Sequence, residues 1–220
     1  MIDLTKHIDF FDPMKLEKRI HIIGVGALGS NIATQLAKLG IKKIDIWDFD
    51  TVDSHNITNQ AFNETDIGLF KVDALEVHLK EQNEDIEIIK HNKPYTDELL
   101  SGFVFMCVDS IETRYKIGLD NQYNNQIKLL IDTRIGLTNG QVFVIDWSIP
   151  KKIENYLKLS DFKDNEANTI KSACGTELSV SPTVLCTTAY AISSLINYIN
   201  GVPIKQQIIF DSFTYKTNAM

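Results

Sequence analysis

The segment Gly24-Val25-Gly26-Ala27-Leu28-Gly29 restricts this chain more than any other. Before it stands an apolar run, Ile20-His21-Ile22-Ile23, that reads as a strand. After it, Ile32, Ala33, Leu36 and Leu39 are spaced for one face of a helix that ends at Gly40. A glycine turn between strand and helix lets the backbone approach a ligand and aims helix N–H groups at an anion. The next strand, Ile44-Asp45-Ile46-Trp47, delivers Asp48, nineteen residues past Gly29. A carboxylate there can accept hydrogen bonds from both ribose hydroxyls of an adenosine nucleotide. These residues alone leave the nucleotide open: Asp48 fits NAD equally well.

Further along, strands and helices alternate. A helix is expected near Asp66 to Gln82, then strands at Ile86–Lys90 and Phe103–Val108. A helix near Glu112 to Asn125 follows, then strands at Leu129–Asp132 and Gln141–Trp147. Alternation of this kind predicts an α/β fold with a doubly wound, mostly parallel, Rossmann-like sheet. One domain is expected over 1–220, with a nucleotide-binding core at about 20–147. A polar, irregular crossover loop would occupy 148–181, and a final helix and strand 182–212. Asp48, Asp109 and Arg134 each follow a predicted strand, so all three are expected at one crevice, outside the carboxyl ends of the strands.

Composition sets outer bounds. With 44% hydrophobic residues and no apolar run of spanning length, a globular chain without a membrane segment is expected. The N-terminal stretch lacks signal-peptide order, and Cys107, Cys174 and Cys186 form neither a disulfide framework nor a tetrahedral metal site, so a cytoplasmic setting is expected. Cys107 and Cys186 sit in apolar segments and read as core residues. The five histidines show no metal-ligand spacing. The net charge of −7 without a basic stripe argues against a nucleic-acid partner.

Five separated elements occur in order: Gly24-x-Gly26-x-x-Gly29; Asp48-Phe49-Asp50-Thr51-Val52; Asn56-Ile57-Thr58-Asn59-Gln60; Asp66-Ile67-Gly68 with Lys71; and Asp109-Ser110-Ile111-Glu112-Thr113-Arg114. Together they resemble the ThiF-type adenylyltransferases, the superfamily that includes ubiquitin-activating enzymes, in a minimal form without paired zinc cysteines. The resemblance implies use of ATP and Mg²⁺ to adenylate a C-terminal carboxylate of a ubiquitin-like or sulfur-carrier protein, or of a peptide, with release of pyrophosphate. It further implies a homodimer.

On that resemblance Gly24, Gly26, Ala27, Gly29, Asp48, Asp50, Asn56, Asn59, Gln60 and Lys71 would line the nucleotide site. Lys71 would neutralise phosphate charge and Asp109 would help hold the metal, since Mg²⁺ prefers oxygen ligands. Each residue also has a plainer reading: Asn56 as a turn residue, Lys71 as a solvated helix charge, Asp109 as a helix cap. Asn59 departs from the pattern, which has arginine at that place. Of the three arginines, Arg134 is the best candidate to contact the substrate carboxylate or a phosphate; an ion pair with Asp132 is an equal alternative. A cation from a dimer partner, from Lys15, Lys18 or Arg19, is another source. Cys174 precedes the proline that opens the last helix, where a thiolate can be activated; a packed loop cysteine is equally compatible. Two other function classes stay open: a catalytically weak nucleotide-binding or partner-recognition module, favoured by Asn59, and an NAD-dependent oxidoreductase, which would leave Asn56, Lys71 and Asp109 without roles.

Overall fold

Eight strands form a single sheet in the order β3-β2-β1-β4-β5-β6-β7-β8 in a computed structural model that describes residues 2–160 and 178–220. The parallel part comprises β1 (Ile20–Ile23), β2 (Lys43–Trp47), β3 (Glu87–His91), β4 (Gly102–Met106) and β5 (Ile127–Ile135). An antiparallel extension follows, with β6 (Asn139–Asp146), β7 (Gln207–Asp211) and β8 (Lys216–Ala219). The doubly wound, mostly parallel sheet expected from the sequence is present.

Helices cover both faces. On one side α1 (Ala27–Lys38), α2 (Lys71–Gln82) and α5 (Ser181–Ile199) bury Ile32, Leu36, Leu75, Leu79 and Leu195 against Ile22, Ile44 and Phe105. On the other, α3 (Ile111–Asp120) and α4 (Pro150–Ser160) pack Ile117, Ile153 and Tyr156 on Val104, Met106 and Leu130. The central short strands β1 and β4 are buried along their whole length, so they read as largely apolar runs. Among the described residues no helix is long and apolar enough to cross a membrane.

Three differences from the sequence reading stand out. The stretch expected to be irregular from 148 contains α4, opened by Pro150, whose rigid φ suits a first helical turn. Its apolar residues Ile153, Tyr156 and Leu157 recur at helical spacing between lysines and glutamates, which disguise it. α2 begins at Lys71 rather than near Asp66, because 64–66 forms a separate 3-10 turn and Gly68 has a left-handed φ of +90°. β8 escapes notice because all four of its residues are exposed on the sheet edge, where no apolar alternation is required.

One buried polar group gives the fold a pH dependence. His21 is 3% exposed on β1, and its Nε2 accepts from the Ser101 backbone N–H at 3.2 Å, which places its proton on Nδ1. Burial pushes its pKa down to about 4, and the nearby Arg19 guanidinium acts in the same direction. The unfolded chain therefore takes up a proton on His21 below about pH 6.5 that the folded chain refuses until about pH 4. Stability from this group is fully present above the unfolded pKa and falls as pH drops through the window, by about 3 kcal/mol at most. Asp45, whose carboxyl burial raises, works weakly against this trend at the acid end. Urea unfolding at pH 7 and pH 4.5 should show a loss that His21→Phe reduces; equal slopes in both proteins would remove His21 as the cause.

Candidate nucleotide site

Strand order reverses between β1 and β4, so a crevice opens over their carboxyl ends. The glycine turn enters it directly after β1. Gly24 has φ +88°, and a Cβ there would meet the Cys107 carbonyl oxygen at 2.9 Å. A Cβ on Gly29 would lie 1.9 Å from the Gly24 carbonyl oxygen. These two glycines are required by packing of the protein on itself. Gly26 is different: a Cβ there would meet nothing within 4 Å, and its φ is −74°. Open space above Gly26 is what close approach of a ligand would use. Gly26 is also the N-cap of α1 and has no capping side chain, so among the described residues no N-cap side chain satisfies the first-turn N–H groups from Ala27 onward.

Asp48 follows β2 and ties the site together. Its Oδ2 accepts from Val25 N at 2.8 Å, in the glycine turn, and its Oδ1 accepts from Asp50 N at 2.9 Å. Each oxygen keeps a second lone pair for a ribose hydroxyl. Burial raises the Asp48 pKa, while the two backbone bonds and the Lys71 ammonium oppose that rise.

Lys71 opens α2 and is 7% exposed. A short antiparallel bridge, Thr51 to Phe70, brings it back to the loop after β2, with Lys71 N donating to Asp50 O at 2.9 Å. Its Nζ then reaches Asp50 Oδ2 at 2.9 Å. The helix lysine is therefore a buried cation beside two carboxylates rather than a solvated charge.

Asn56 and Asn59 act as structural joints in this structure. Asn56 is buried, and its Oδ1 accepts from Asp53 N at 2.9 Å while Asp53 caps the same 3-10 turn. Asn59 Nδ2 donates to Ser179 Oγ at 2.6 Å, and its carbonyl accepts from Asn31 Nδ2 at 3.0 Å. It links the motif loop to both α1 and the approach to α5. Ser179 and Asn31 carried no sequence signal for this, since the pairing spans 120 residues on one side. Gln60 Oε1 is buried and finds no hydrogen-bond partner among the described residues. Asp66 accepts from His78 Nε2 at 2.7 Å and from Asn63 N at 2.6 Å, which fixes the turn before α2.

Asp109 lies exposed beyond β4, with Oδ1 accepting from Ser110 N at 2.9 Å, and Ser110 rather than Asp109 caps α3. No group of three or more His, Cys, Asp or Glu among the described residues is arranged to hold a metal. A single exposed carboxylate still suits Mg²⁺, which is commonly held by one or two carboxylates together with substrate phosphates.

The two arginines after Asp109 converge on one carboxylate. Asp132, fully buried on β5, pairs with Arg114 and with Arg134, whose Nη2 lies 2.7 Å from Oδ2. Tyr156 adds a hydroxyl at 3.0 Å. Arg114 also donates to the carbonyls of Met106, at 3.1 Å, and Val108, so it fixes the chain leading to Asp109. Arg134 further donates to Ser160 Oγ at 2.9 Å and stacks over Phe143 at 4.5 Å. Arg134 makes the ion pair with Asp132 that the sequence offered as one of its readings. A contact with substrate would require it to share or leave that carboxylate. Arg19 pairs with Asp45 and Glu87, so each arginine of the chain is matched to a carboxylate. Cys174 lies outside the described residues. Cys107 stands just past β4 rather than inside it; burial raises its thiol pKa to about 12, and its Sγ meets Thr133 Oγ1 at 3.4 Å.

A glycine turn at the switch point, with a carboxylate after the second strand, defines the Rossmann-like class of α/β proteins. A model of the ThiF family matches residues 14–220, and the chain belongs to that family. It is 28% identical over 144 residues to ubiquitin-like modifier-activating enzyme 5 of Branchiostoma floridae, covering 57% of this chain and 36% of that protein. It is 29% identical over 152 residues to molybdopterin-synthase adenylyltransferase of Haemophilus influenzae, covering 66% of this chain and 62% of that one. The chain thus spans about a third of the first of these relatives. Among solved structures, PaaA superposes with a TM-score of 0.75 at 16% identity, covering 99% of this chain and 68% of PaaA. MccB of E. coli, solved with ATP, superposes with a TM-score of 0.72 at 19% identity, covering 94% of this chain and 65% of MccB. These likenesses establish the shared fold.

Proposed function

We propose that the chain is a MgATP-dependent adenylyltransferase that activates the C-terminal carboxylate of a ubiquitin-like or sulfur-carrier protein, or of a peptide. The observation that carries this reading is the open cradle over Gly26, with Asp48 and the buried Lys71 positioned beside it. Membership of the ThiF family supports it, as do relatives named as activators of a ubiquitin-like modifier and as an adenylyltransferase. MccB with ATP and with MccA supports the peptide arm of the proposal.

In this reading a carboxylate oxygen attacks the α-phosphorus of ATP. A new O–P bond forms, the bond to the β-phosphate breaks, and pyrophosphate leaves with that electron pair. Asp48 orients the ribose. The N–H groups at the start of α1 and the Lys71 ammonium hold the phosphates. Bound Mg²⁺ would supply charge neutralisation at the phosphates, with Asp109 as its carboxylate ligand. Catalysis is then positioning and charge stabilisation.

The weaker alternative, a nucleotide-binding module used for partner recognition, draws on Asn59. Its amide is spent on Ser179, and no arginine of this chain stands unpaired at the crevice. A homodimer that lends a cation to its neighbour would restore catalysis. The two readings separate in an ATP–pyrophosphate exchange assay, run with a small protein ending in Gly-Gly and with short peptides as carboxylate donors. Exchange that depends on a donor supports the enzyme; ATP binding with no exchange for any donor supports the module. Sedimentation at micromolar concentration reads the dimer directly.

A further inference from the structure

A cavity of about 1140 Å³ opens at the other end of the sheet from the glycine turn. It lies by the strand ends at Lys18 and Gln126, between Tyr115 of α3 with the segment after that helix, the Trp147-Ser148 corner after β6, and α4. We propose that this groove is a docking site for a short acidic peptide segment of a partner protein. The proposal uses no residue of the nucleotide crevice, so it stands or falls apart from the adenylation reading.

Charge is the first argument. The chain carries 29 acidic and 22 basic side chains, yet the groove is lined by Lys18, Lys128, Lys151 and Lys158 against a single carboxylate, Glu154. Glu154 already pairs with Lys151 at 3.1 Å and Lys158 at 2.5 Å. Lys18 and Lys128 are exposed and form no ion pair among the described residues. A locally reversed sign on an acidic protein attracts acidic groups.

Shape and lining give the second. The volume exceeds the usual 300–1,000 Å³ of a small-molecule pocket and suits a length of extended chain. The wall includes half-buried Tyr115 and Leu157 and exposed Pro150, apolar surface against which side chains of a peptide can pack, backed by buried Trp147 and Ile153. Tyr123 stands at the rim and is 89% exposed, an aromatic of the kind that anchors interfaces.

The third argument sets the length of the occupant. Across the rim formed by Tyr123 to Gln126 lies a second depression lined by Asp97, Glu98 and Asp120. A polyanion running on past the lysines would meet those carboxylates. This disfavours a nucleic-acid backbone and favours a short acidic stretch that ends, or turns basic, at the rim.

The test uses a fluorescein-labelled hexaglutamate peptide, read by anisotropy at low and at physiological salt. Binding that weakens with salt is expected for the parent protein. Lys128→Glu with Lys151→Glu should weaken it about tenfold or more, whereas Lys42→Glu with Lys43→Glu, at the start of β2, should change it less than about twofold. No binding by the parent, or equal loss in the two charge-reversed proteins, would overturn the site. An oligothymidylate of equal charge that binds as tightly would overturn the assignment to a peptide.

Discussion

Asp132→Ala is expected to cost about 3–5 kcal/mol of folding stability, because it strips the counter-charge from a buried and a partly buried guanidinium at once. Arg114 and Arg134 both pair with this fully buried carboxylate, and Tyr156 donates to it at 3.0 Å. Domains are commonly stable by only about 5–15 kcal/mol, so a loss of this size is about a fifth of the total or more. Tyr156→Phe removes one hydrogen bond at the same carboxylate and should cost about 1 kcal/mol, which separates loss of charge from loss of contact. Urea unfolding measures both; an Asp132→Ala protein within about 1 kcal/mol of the parent would contradict the account of the cluster. Because Arg114 holds the Met106 and Val108 carbonyls just before Asp109, loosening Asp132 should also disturb that loop.

Lys71→Met should weaken ATP affinity about 30-fold or more, near 2 kcal/mol, while leaving stability almost unchanged. The ammonium is buried, yet its partner Asp50 has a side chain 52% exposed, so the ion pair itself contributes little to folding. In the proposed nucleotide complex the same ammonium would face phosphate, and without it Asp48 and Asp50 would stand beside the triphosphate with no compensating charge. Calorimetric titration of MgATP into the two proteins reads the effect. Parental affinity in the variant would return Lys71 to a purely structural role.

How much of this was legible in the sequence depends on how local the determining chemistry is. The strand–glycine turn–helix unit and Asp48 could be read directly, since Gly24 and Gly29 answer to contacts within one turn and the neighbouring strand end. The Asp132–Arg134 pair was foreseeable because residues two apart share a face of a strand. What could not be read was which distant elements arrive there. Arg114 comes from α3 and Tyr156 from α4, a helix whose lysines and glutamates give it the look of a polar loop. Lys71 was picked out by its place after Asp66-Ile67-Gly68, but its burial against Asp50 depends on the bridge between Thr51 and Phe70. The Asn59 amide looked like a simple loss of charge; its bond to Ser179 gives it a joining role that only the folded chain reveals.

The central claim, that the cradle over Gly26 receives the phosphates of ATP, is tested most directly by Gly26→Val. Among the described residues, no atom beyond its chain neighbours and its own helix backbone lies within 4 Å of the added Cβ, so the variant should keep the fold and its unfolding midpoint. Calorimetric titration of MgATP and of NAD into parent and variant then reads the site alone. The account predicts that the parent binds MgATP and not NAD, and that Gly26→Val loses MgATP binding. Undiminished MgATP affinity in a folded Gly26→Val protein, or a parent that binds NAD in preference to ATP, would contradict it.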